Sequence, residues 1–363
     1  MSYCPPTCGS TTAAGATWPW VASPPSSGLV SCRHEQPGGK PHLSATPLSL
    51  LSMGWTTQAS TSVEVEIETL AGTLHGTQMI PASDVPGPAV LIIAGSGPTD
   101  RNGDSSLAGT NHSLKLLAEG LADHGMASIR YDKRGIGASA AAGPEEADLR
   151  FDAYVEDAAL WIQHMQADSR FSSVTVIGHS EGSLIGMLAT QATGADALVS
   201  IAGPAQPASQ LLRDQLRPSL PEALWQENEH ILAALEQGKR VASISPELNA
   251  LYRPSIQPYL MSWFRYIPTQ EIARLTVPVL IVQGTTDSQV PVREAQALKS
   301  AKQDAELRII EGMNHVLKAV SLDPQQQKAS YSDPSLPVVP ELVEGICRFI
   351  HSSETRHGAS QSL

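Results

Sequence analysis

The sequence predicts an α/β protein whose core is a mostly parallel, doubly wound sheet of about eight strands, with helices on both faces. Three observations lead to this fold class. Short, continuously apolar runs recur along the chain, as expected for strands buried on both sides. Helical patterns of apolar residues separate most of these runs. The first two expected strands lack such runs and are typical of an antiparallel pair at the edge of the sheet.

The expected elements follow one another in a regular order. Residues 63–68 alternate apolar and acidic side chains, which predicts a half-exposed strand, and residues 73–80 form its hairpin partner after Ala71 and Gly72. The later strands are expected at residues 89–94, 127–131, 174–177, 197–202, 277–282 and 307–310. The helices are expected at residues 112–124, 151–167, 181–193, 292–301 and 340–350.

One interval interrupts this alternation. Between residues 203 and 276 no strand is expected, and repeated leucines near helical spacing predict a helical cap at residues 204–271, inserted after the sixth strand. The core is then expected at residues 61–203 and 272–352, followed by a flexible tail at 353–363. Residues 252–266 hold five of the chain's 17 aromatic side chains. These aromatics form either the core of the cap or an apolar wall over a substrate pocket.

The first 60 residues differ in composition from the rest. They hold only three charged side chains, and 31 of the 60 are Pro, Gly, Ser or Thr. So few apolar residues cannot offset the entropy of ordering such a segment. We therefore expect residues 1–60 to be a disordered or non-native N-terminal extension. Its start lacks the basic and apolar regions of a signal peptide, which predicts a cytoplasmic protein.

Charge and hydrophobicity restrict the class of partner. The 363-residue chain has a formal net charge of −12, and the first 60 residues carry +1, so the remainder is more acidic still. Nucleic-acid-binding surfaces need clustered positive charge, and no apolar run approaches the length of a membrane span. We therefore expect neither nucleic acid nor membrane as a partner, and the oligomeric state is open. This composition favours an enzyme or a binder of small molecules.

The most informative motif is Gly-His-Ser-Glu-Gly at residues 178–182. It matches the G-x-S-x-G nucleophile elbow, and it lies between a predicted buried strand and a predicted helix, as that motif requires. A sharp turn at this point holds Ser180 in a strained backbone conformation. The glycines on either side let the strand and the helix pass closely.

With this motif in this context, the chain resembles the α/β-hydrolase family, and in particular its bacterial carboxylesterases. These enzymes carry nucleophile, acid and base in the order Ser, Asp or Glu, His, each on a loop after a strand. Asp287 follows the strand at 277–282, within a Gly-x-x-Asp-x-x-Val-Pro pattern, and His315 follows the strand at 307–310. The resemblance implies a catalytic triad of Ser180, Asp287 and His315. Taken singly, Asp287 could cap a turn and His315 could be a surface histidine.

Two further stretches are similar to the family. Residues 94–98 follow the third strand, where the family places an oxyanion-hole loop, although Ala94 stands where a histidine is common. The resemblance implies that the backbone N–H groups of Ser96 and Glu181 hold the oxyanion. Residues 130–139 are similar to the family's Arg-x-Asp-x-Arg-Gly-x-Gly loop, to which we assign a structural role.

The resemblance implies a serine carboxylesterase that hydrolyses short- to medium-chain esters through an acyl-enzyme, with a small-molecule ester as its substrate. Such chemistry needs no metal and no organic cofactor. A thioesterase or an amide or peptide hydrolase on the same fold remains an alternative, as does a non-catalytic ligand-binding relative. The dinucleotide-like glycines at residues 135–140 and the calcium-loop-like residues 100–104 each lack required partners, so neither predicts a cofactor site.

Overall fold

Eight strands form one sheet in the computed structural model, which describes residues 60–83 and 85–360, with side chains through residue 355. The prediction for residues 1–60 therefore lies outside the described residues, apart from Ser60, which begins the first strand. The strands are β1 (Ser60–Thr69), β2 (Gly72–Pro81), β3 (Gly87–Ile93), β4 (Ala127–Tyr131), β5 (Phe171–His179), β6 (Ala197–Ile201), β7 (Val279–Gly284) and β8 (Glu306–Ile310).

The strand order is β1-β2-β4-β3-β5-β6-β7-β8. β1 pairs antiparallel with β2, and β2 pairs antiparallel with β4; every pair from β4 to β8 is parallel. The predicted fold class, a mostly parallel sheet preceded by an antiparallel pair, is confirmed. Because the parallel strands all end at the same edge, the loops that follow β3, β5, β7 and β8 meet there.

Helices cover both faces of the sheet. The helices are α1 (Ser113–Asp123), α2 (Phe151–Gln166), α3 (Glu181–Thr193), α4 (Ala208–Leu216), α5 (Glu222–Glu236), α6 (Pro246–Tyr252), α7 (Gln257–Trp263), α8 (Pro268–Arg274), α9 (Val292–Ala301), α10 (Pro324–Ser330) and α11 (Pro340–Ser360). Two 3₁₀ helices, Gly137–Ala142 and Glu146–Asp148, follow β4. Among the helices of the described residues, none has the length and hydropathy that a membrane crossing requires.

The central strand β3 shows how the two faces divide the core. Ala89, Leu91 and Ile93 belong to the cluster that includes α2, α3, α8 and α9, whereas Val90 and Ile92 belong to the cluster of α1 and α11. All five of these side chains are buried. Since successive strand residues point to opposite faces, a continuously apolar strand is what two covered faces require.

Five helices, α4 to α8, fill the interval between β6 and β7, as the predicted cap inserted after the sixth strand requires. Three aromatic side chains of this interval pack against α2. Phe151 at the start of α2 stacks on Trp263 with ring centroids 5.7 Å apart, and it also contacts the rings of Tyr259 and Tyr266. These aromatics therefore hold the cap on the core of the molecule.

The C-terminal helix is longer than predicted. α11 begins at Pro340 as expected but continues to Ser360, so residues 353–360, which we expected to belong to a flexible tail, are helical. Glu354 accepts hydrogen bonds from the hydroxyls of Ser172 and Ser173 on β5, which fastens this part of the helix to the sheet. The sequence pattern could not show this contact because the partners are more than 180 residues apart.

Candidate active site

Ser180 lies in the sharp turn between β5 and α3. Its backbone has φ 55° and ψ −121°, a region that side-chain-bearing residues rarely occupy, as the elbow motif predicts. The turn is fixed from the neighbouring strand, because the Ser180 N–H donates to the carbonyl of Ile201 at 2.9 Å. The side chain is half-buried and lines a cavity at the carboxyl edge of the sheet.

The two glycines of the elbow allow β5 and α3 to pass in contact. A Cβ atom on Gly178 would lie 2.2 Å from the carbonyl oxygen of Gly182. A Cβ on Gly182 would lie 2.4 Å from the carbonyl oxygen of Ile93 at the end of β3. Both clashes are with backbone atoms, which cannot rotate away, so glycine is required at each position.

Asp287 and His315 form a buried hydrogen-bonded pair at the same edge. Asp287 follows β7 and His315 follows β8, and Nδ1 of His315 lies 2.8 Å from Oδ2 of Asp287. The two loops touch at Gly284, where a Cβ would lie 1.9 Å from the carbonyl oxygen of Met313. Because a carboxylate only accepts, Nδ1 carries the proton, and Nε2 of the neutral ring is left to accept one.

The Asp287 carboxylate is held by several further donors. Oδ1 accepts from the backbone N–H groups of Gln289 and Val290 at 2.8 and 2.9 Å, and Oδ2 also accepts from Nε2 of Gln283 at 3.0 Å. Burial alone would raise the pKa of Asp287, but the adjacent His315 and the hydrogen bonds lower it below its ordinary value. The carboxylate therefore stays ionised and fixes the orientation of the imidazole.

His179, the second residue of the elbow motif, packs against His315. The two ring centroids are 4.8 Å apart, and Nε2 of His179 donates to the carbonyl oxygen of His315 at 2.8 Å. Burial and the neighbouring His315 lower the pKa of His179 to about 3. A neutral His179 therefore supports the loop of His315 without placing a positive charge beside it.

One cavity of about 80 Å³ brings these elements together. Ser96, Ser180 and His315 all line it, on loops that follow β3, β5 and β8. The remaining wall consists largely of small residues of the 97–113 segment, together with Gln289 and Tyr331. The side chains that the sequence pattern proposed for one site are thus brought to one edge of the sheet, with Asp287 behind His315.

Glu181 is the first residue of α3, so its backbone N–H has no carbonyl partner within the helix. The Glu181 side chain is buried, which no local sequence pattern indicates. One carboxylate oxygen lies 3.0 Å from Nζ of Lys133, and the other accepts a hydrogen bond from the hydroxyl of Tyr259 in α7. The same Nζ donates to the carbonyl oxygen of Gly95 at 2.5 Å.

The loop after β4, for which we predicted a structural role, contacts neighbouring loops and α2. Asp132 accepts from the backbone N–H of Arg101 at 2.8 Å and from that of Ala138 at 2.9 Å, which joins two loops beside the site. Arg134 forms an ion pair with the fully buried Asp157 of α2. Lys133, in the same loop, faces the candidate active site, and the sequence analysis did not single it out.

Tyr331 and Gln289 also line the cavity, and neither was predicted from the sequence as a site residue. Nε2 of Gln289 donates to the Tyr331 hydroxyl at 2.6 Å. Tyr331 follows α10, a short polar helix without apolar periodicity. The sequence feature that could have predicted α10 is its N-terminal cap. Pro324 is the first residue of the helix, and the Asp323 side chain accepts hydrogen bonds from the N–H groups of Gln325 and Gln326.

No group of three or more His, Cys, Asp or Glu side chains within the described part of the chain is arranged to hold a metal ion.

The mostly parallel sheet and the serine on its strand–turn–helix elbow define a protein of the α/β-hydrolase fold class. Comparison with known families agrees with this assignment. The model of the family described as serine aminopeptidase, S33, matches residues 109–321, which is more than half of the chain. The chain therefore belongs to this family.

Individual relatives are similar over most of the chain. The chain is 30% identical to the esterase EstD of Thermotoga maritima over 247 residues, which are 67% of this chain and 58% of EstD. The chain thus matches less than two thirds of the length of that relative. Among solved structures, Est1E from Butyrivibrio proteoclasticus has a TM-score of 0.52 at 17% identity, covering 80% of this chain and 99% of Est1E. The α/β hydrolase GrgF from Penicillium sp. sh18 has a TM-score of 0.50 at 20% identity, covering 70% of this chain and 91% of GrgF. At these identities the two structures show the shared fold.

Proposed function

We propose that this chain is a serine carboxylesterase that hydrolyses short- to medium-chain esters through Ser180, His315 and Asp287. The observation that carries the proposal is the buried 2.8 Å pair of His315 and Asp287 beside the cavity that Ser180 lines. The similarity to EstD, an esterase, supports ester hydrolysis.

The proposed reaction has two halves. Nε2 of His315 takes the proton from the Ser180 hydroxyl as its oxygen attacks the ester carbonyl, and Asp287 stabilises the resulting imidazolium. The backbone N–H groups of Ser96 and Glu181 donate hydrogen bonds to the oxygen of the tetrahedral oxyanion. His315 then protonates the departing alcohol, which leaves an acyl group on Ser180. Water attacks that acyl-enzyme in the same way, releases the acid and returns the proton to Ser180.

The cavity size supports a small acyl group. A volume of about 80 Å³ holds roughly five to eight water-sized groups. We therefore expect kcat/KM to be highest for acetyl to butyryl esters and to fall for longer acyl chains.

The test compares p-nitrophenyl esters of increasing acyl length in the wild type and in Ser180→Ala. We expect the substitution to lower kcat by more than about 10⁴-fold, because it removes the nucleophile. A fluorophosphonate should label wild-type Ser180 and leave the variant unlabelled. The matched control is Ser300→Ala, which removes a hydroxyl from the exposed face of α9. Hydrolysis that survives in Ser180→Ala, together with an unlabelled wild type, would rule the proposal out.

A second candidate, amide or peptide hydrolysis, is favoured by the description of the family model. Amino-acid p-nitroanilides should separate the two activities in the same assay. We expect ester turnover to exceed anilide turnover, and the reverse order would replace the carboxylesterase proposal with an aminopeptidase.

A further inference from the structure

We propose that Lys133 is a positioning residue that orients both donors of the oxyanion hole. This inference rests on the proposed function of the site. Lys133 lies in the loop after β4, and its side chain is 1% exposed. Its Nζ lies within hydrogen-bond distance of two groups, the carbonyl oxygen of Gly95 and the carboxylate of Glu181. The Gly95 carbonyl belongs to the same peptide group as the Ser96 N–H, which is one proposed donor. The carboxylate belongs to Glu181, whose backbone N–H is the other.

The first contact acts on the Ser96 donor through the peptide between Gly95 and Ser96. In a planar trans peptide, the C=O and the following N–H point in opposite directions. Lys133 binds the Gly95 oxygen at 2.5 Å on one side, so the Ser96 N–H is directed to the other side. A cation on the carbonyl oxygen also polarises the peptide and strengthens its N–H as a donor. Lys133 thereby fixes both the direction and the donor strength of this group.

The second contact acts on the Glu181 donor. The Glu181 side chain is 2% exposed, and its Oε2 lies 3.0 Å from Nζ of Lys133. Oε1 accepts from the hydroxyl of Tyr259 in the cap. Burial and the Glu181 carboxylate raise the pKa of Tyr259 well above its ordinary value, so the phenol remains a donor. The first residue of α3 is therefore held from both sides while its backbone N–H stays free for an oxyanion.

The oxyanion loop borders two cavities. A second cavity of about 200 Å³ lies beneath the cap and is lined by Lys133, Glu181 and Tyr259. Gly97 lines both this cavity and the one that contains Ser180. At Gly97 the loop thus borders open space on two sides, and hydrogen bonds restrain it there: Lys133 donates to the Gly95 carbonyl oxygen, and the Thr99 hydroxyl donates to the Ser96 carbonyl oxygen. The Tyr154 ring, 5.0 Å from Nζ, closes the remaining side of the ammonium group.

The test begins with Lys133→Met, which keeps the length of the side chain and removes its charge and donors. We expect kcat for a p-nitrophenyl ester to fall about 100-fold, the lower range for loss of one oxyanion donor, with KM changed less than about 3-fold. The affinity for a trifluoromethyl ketone, whose Ser180 adduct carries an oxyanion, should weaken by a similar factor. Tyr259→Phe leaves both hydrogen bonds of Lys133 intact, so it should lower kcat and the affinity for the ketone less than Lys133→Met does.

A double variant separates positioning from charge neutralisation. Lys133→Met alone leaves the Glu181 carboxylate buried without its cation, which can unfold the protein. Lys133→Met with Glu181→Gln removes both charges and keeps the backbone N–H of residue 181. We expect the double variant to recover thermal stability and to retain the low kcat and the weak ketone binding. Recovery of kcat in the double variant, or a Lys133→Met protein that is as active as wild type, would overturn the inference.

The same experiment distinguishes failure of this inference from failure of the proposed function. An active wild type whose Ser180 is labelled by a fluorophosphonate, combined with active Lys133 variants, rejects the role of Lys133 alone. A wild type that neither turns over esters nor is labelled rejects the proposed function, and with it this role of Lys133.

Discussion

Replacing His179 with glutamine should reduce the loss of stability that the protein shows in acid. In the folded protein the pKa of His179 is lowered to about 3, because the ring is buried beside His315. In the unfolded chain a histidine has a pKa of about 6.5. Between these two pKa values the unfolded state binds a proton that the folded state does not bind. The free energy of unfolding therefore falls as the pH drops from about 6.5 toward 3. Glutamine can donate to the His315 carbonyl but cannot take up a proton.

The size of the effect follows from these two pKa values. At pH 7.5 the histidine is neutral in both states and contributes almost nothing to the pH dependence. At pH 5 the unfolded state gains about 2 kcal/mol from protonation of His179, since one pKa unit corresponds to about 1.4 kcal/mol. Below pH 3 both states are protonated, and no further loss comes from this residue.

Urea unfolding followed by tryptophan fluorescence at pH 7.5 and pH 5 measures this difference. Between the two pH values, the wild type should lose about 2 kcal/mol more unfolding free energy than His179→Gln. The matched control, His230→Gln, replaces an exposed histidine on α5 and should lose as much as the wild type. Equal losses in wild type and His179→Gln would show that His179 is protonated in the folded protein, contrary to this reasoning.

Two further predictions concern stability. Gly182→Ala should abolish soluble folded protein, because its Cβ would lie 2.4 Å from the carbonyl oxygen of Ile93, whereas Gly87→Ala, with its nearest atom at 3.8 Å, should express normally. Circular dichroism and gel filtration of both variants test this, and a folded, active Gly182→Ala would contradict it. Arg134→Met should lower the unfolding free energy by about 3–5 kcal/mol, because it leaves the buried Asp157 carboxylate without its cation. A urea titration showing a loss below about 1 kcal/mol would mean that this ion pair contributes little.

The strands could be predicted because each one carries its own pattern. Burial on both faces makes a parallel strand continuously apolar, and Ala89 to Ile93 show that pattern in consecutive residues. The order of the strands is a different kind of information. In the observed order, β3 lies between β4 and β5. This order depends on the direction in which each crossover connection turns, and no residue pattern within a strand specifies it.

Some residues of the candidate site could also be predicted from local patterns, and others could not. Ser180, Asp287 and His315 could be proposed because each follows a strand within a short local motif, and parallel strands bring such positions to one edge. The ion pair of Lys133 and Glu181 could not be found, because 48 residues separate its members and neither has a local pattern that indicates burial. Charged residues in a sequence usually indicate exposed positions, and burial of such a pair follows only from the folded arrangement.

The position of the cap between two neighbouring strands has an evolutionary consequence. β6 and β7 are adjacent and parallel, so the chain leaves the sheet and returns to it at neighbouring places. Insertions, deletions or exchange of α4 to α7 can therefore alter the cavity beneath the cap, which Ile256 and Tyr259 line, while every strand keeps its register. The hydrogen bond from Tyr259 to Glu181 limits this freedom, because a replacement cap must supply another donor at the first turn of α3. Natural variation in length and sequence should therefore concentrate in this segment, with the Tyr259 contact to Glu181 among the slowest parts to change.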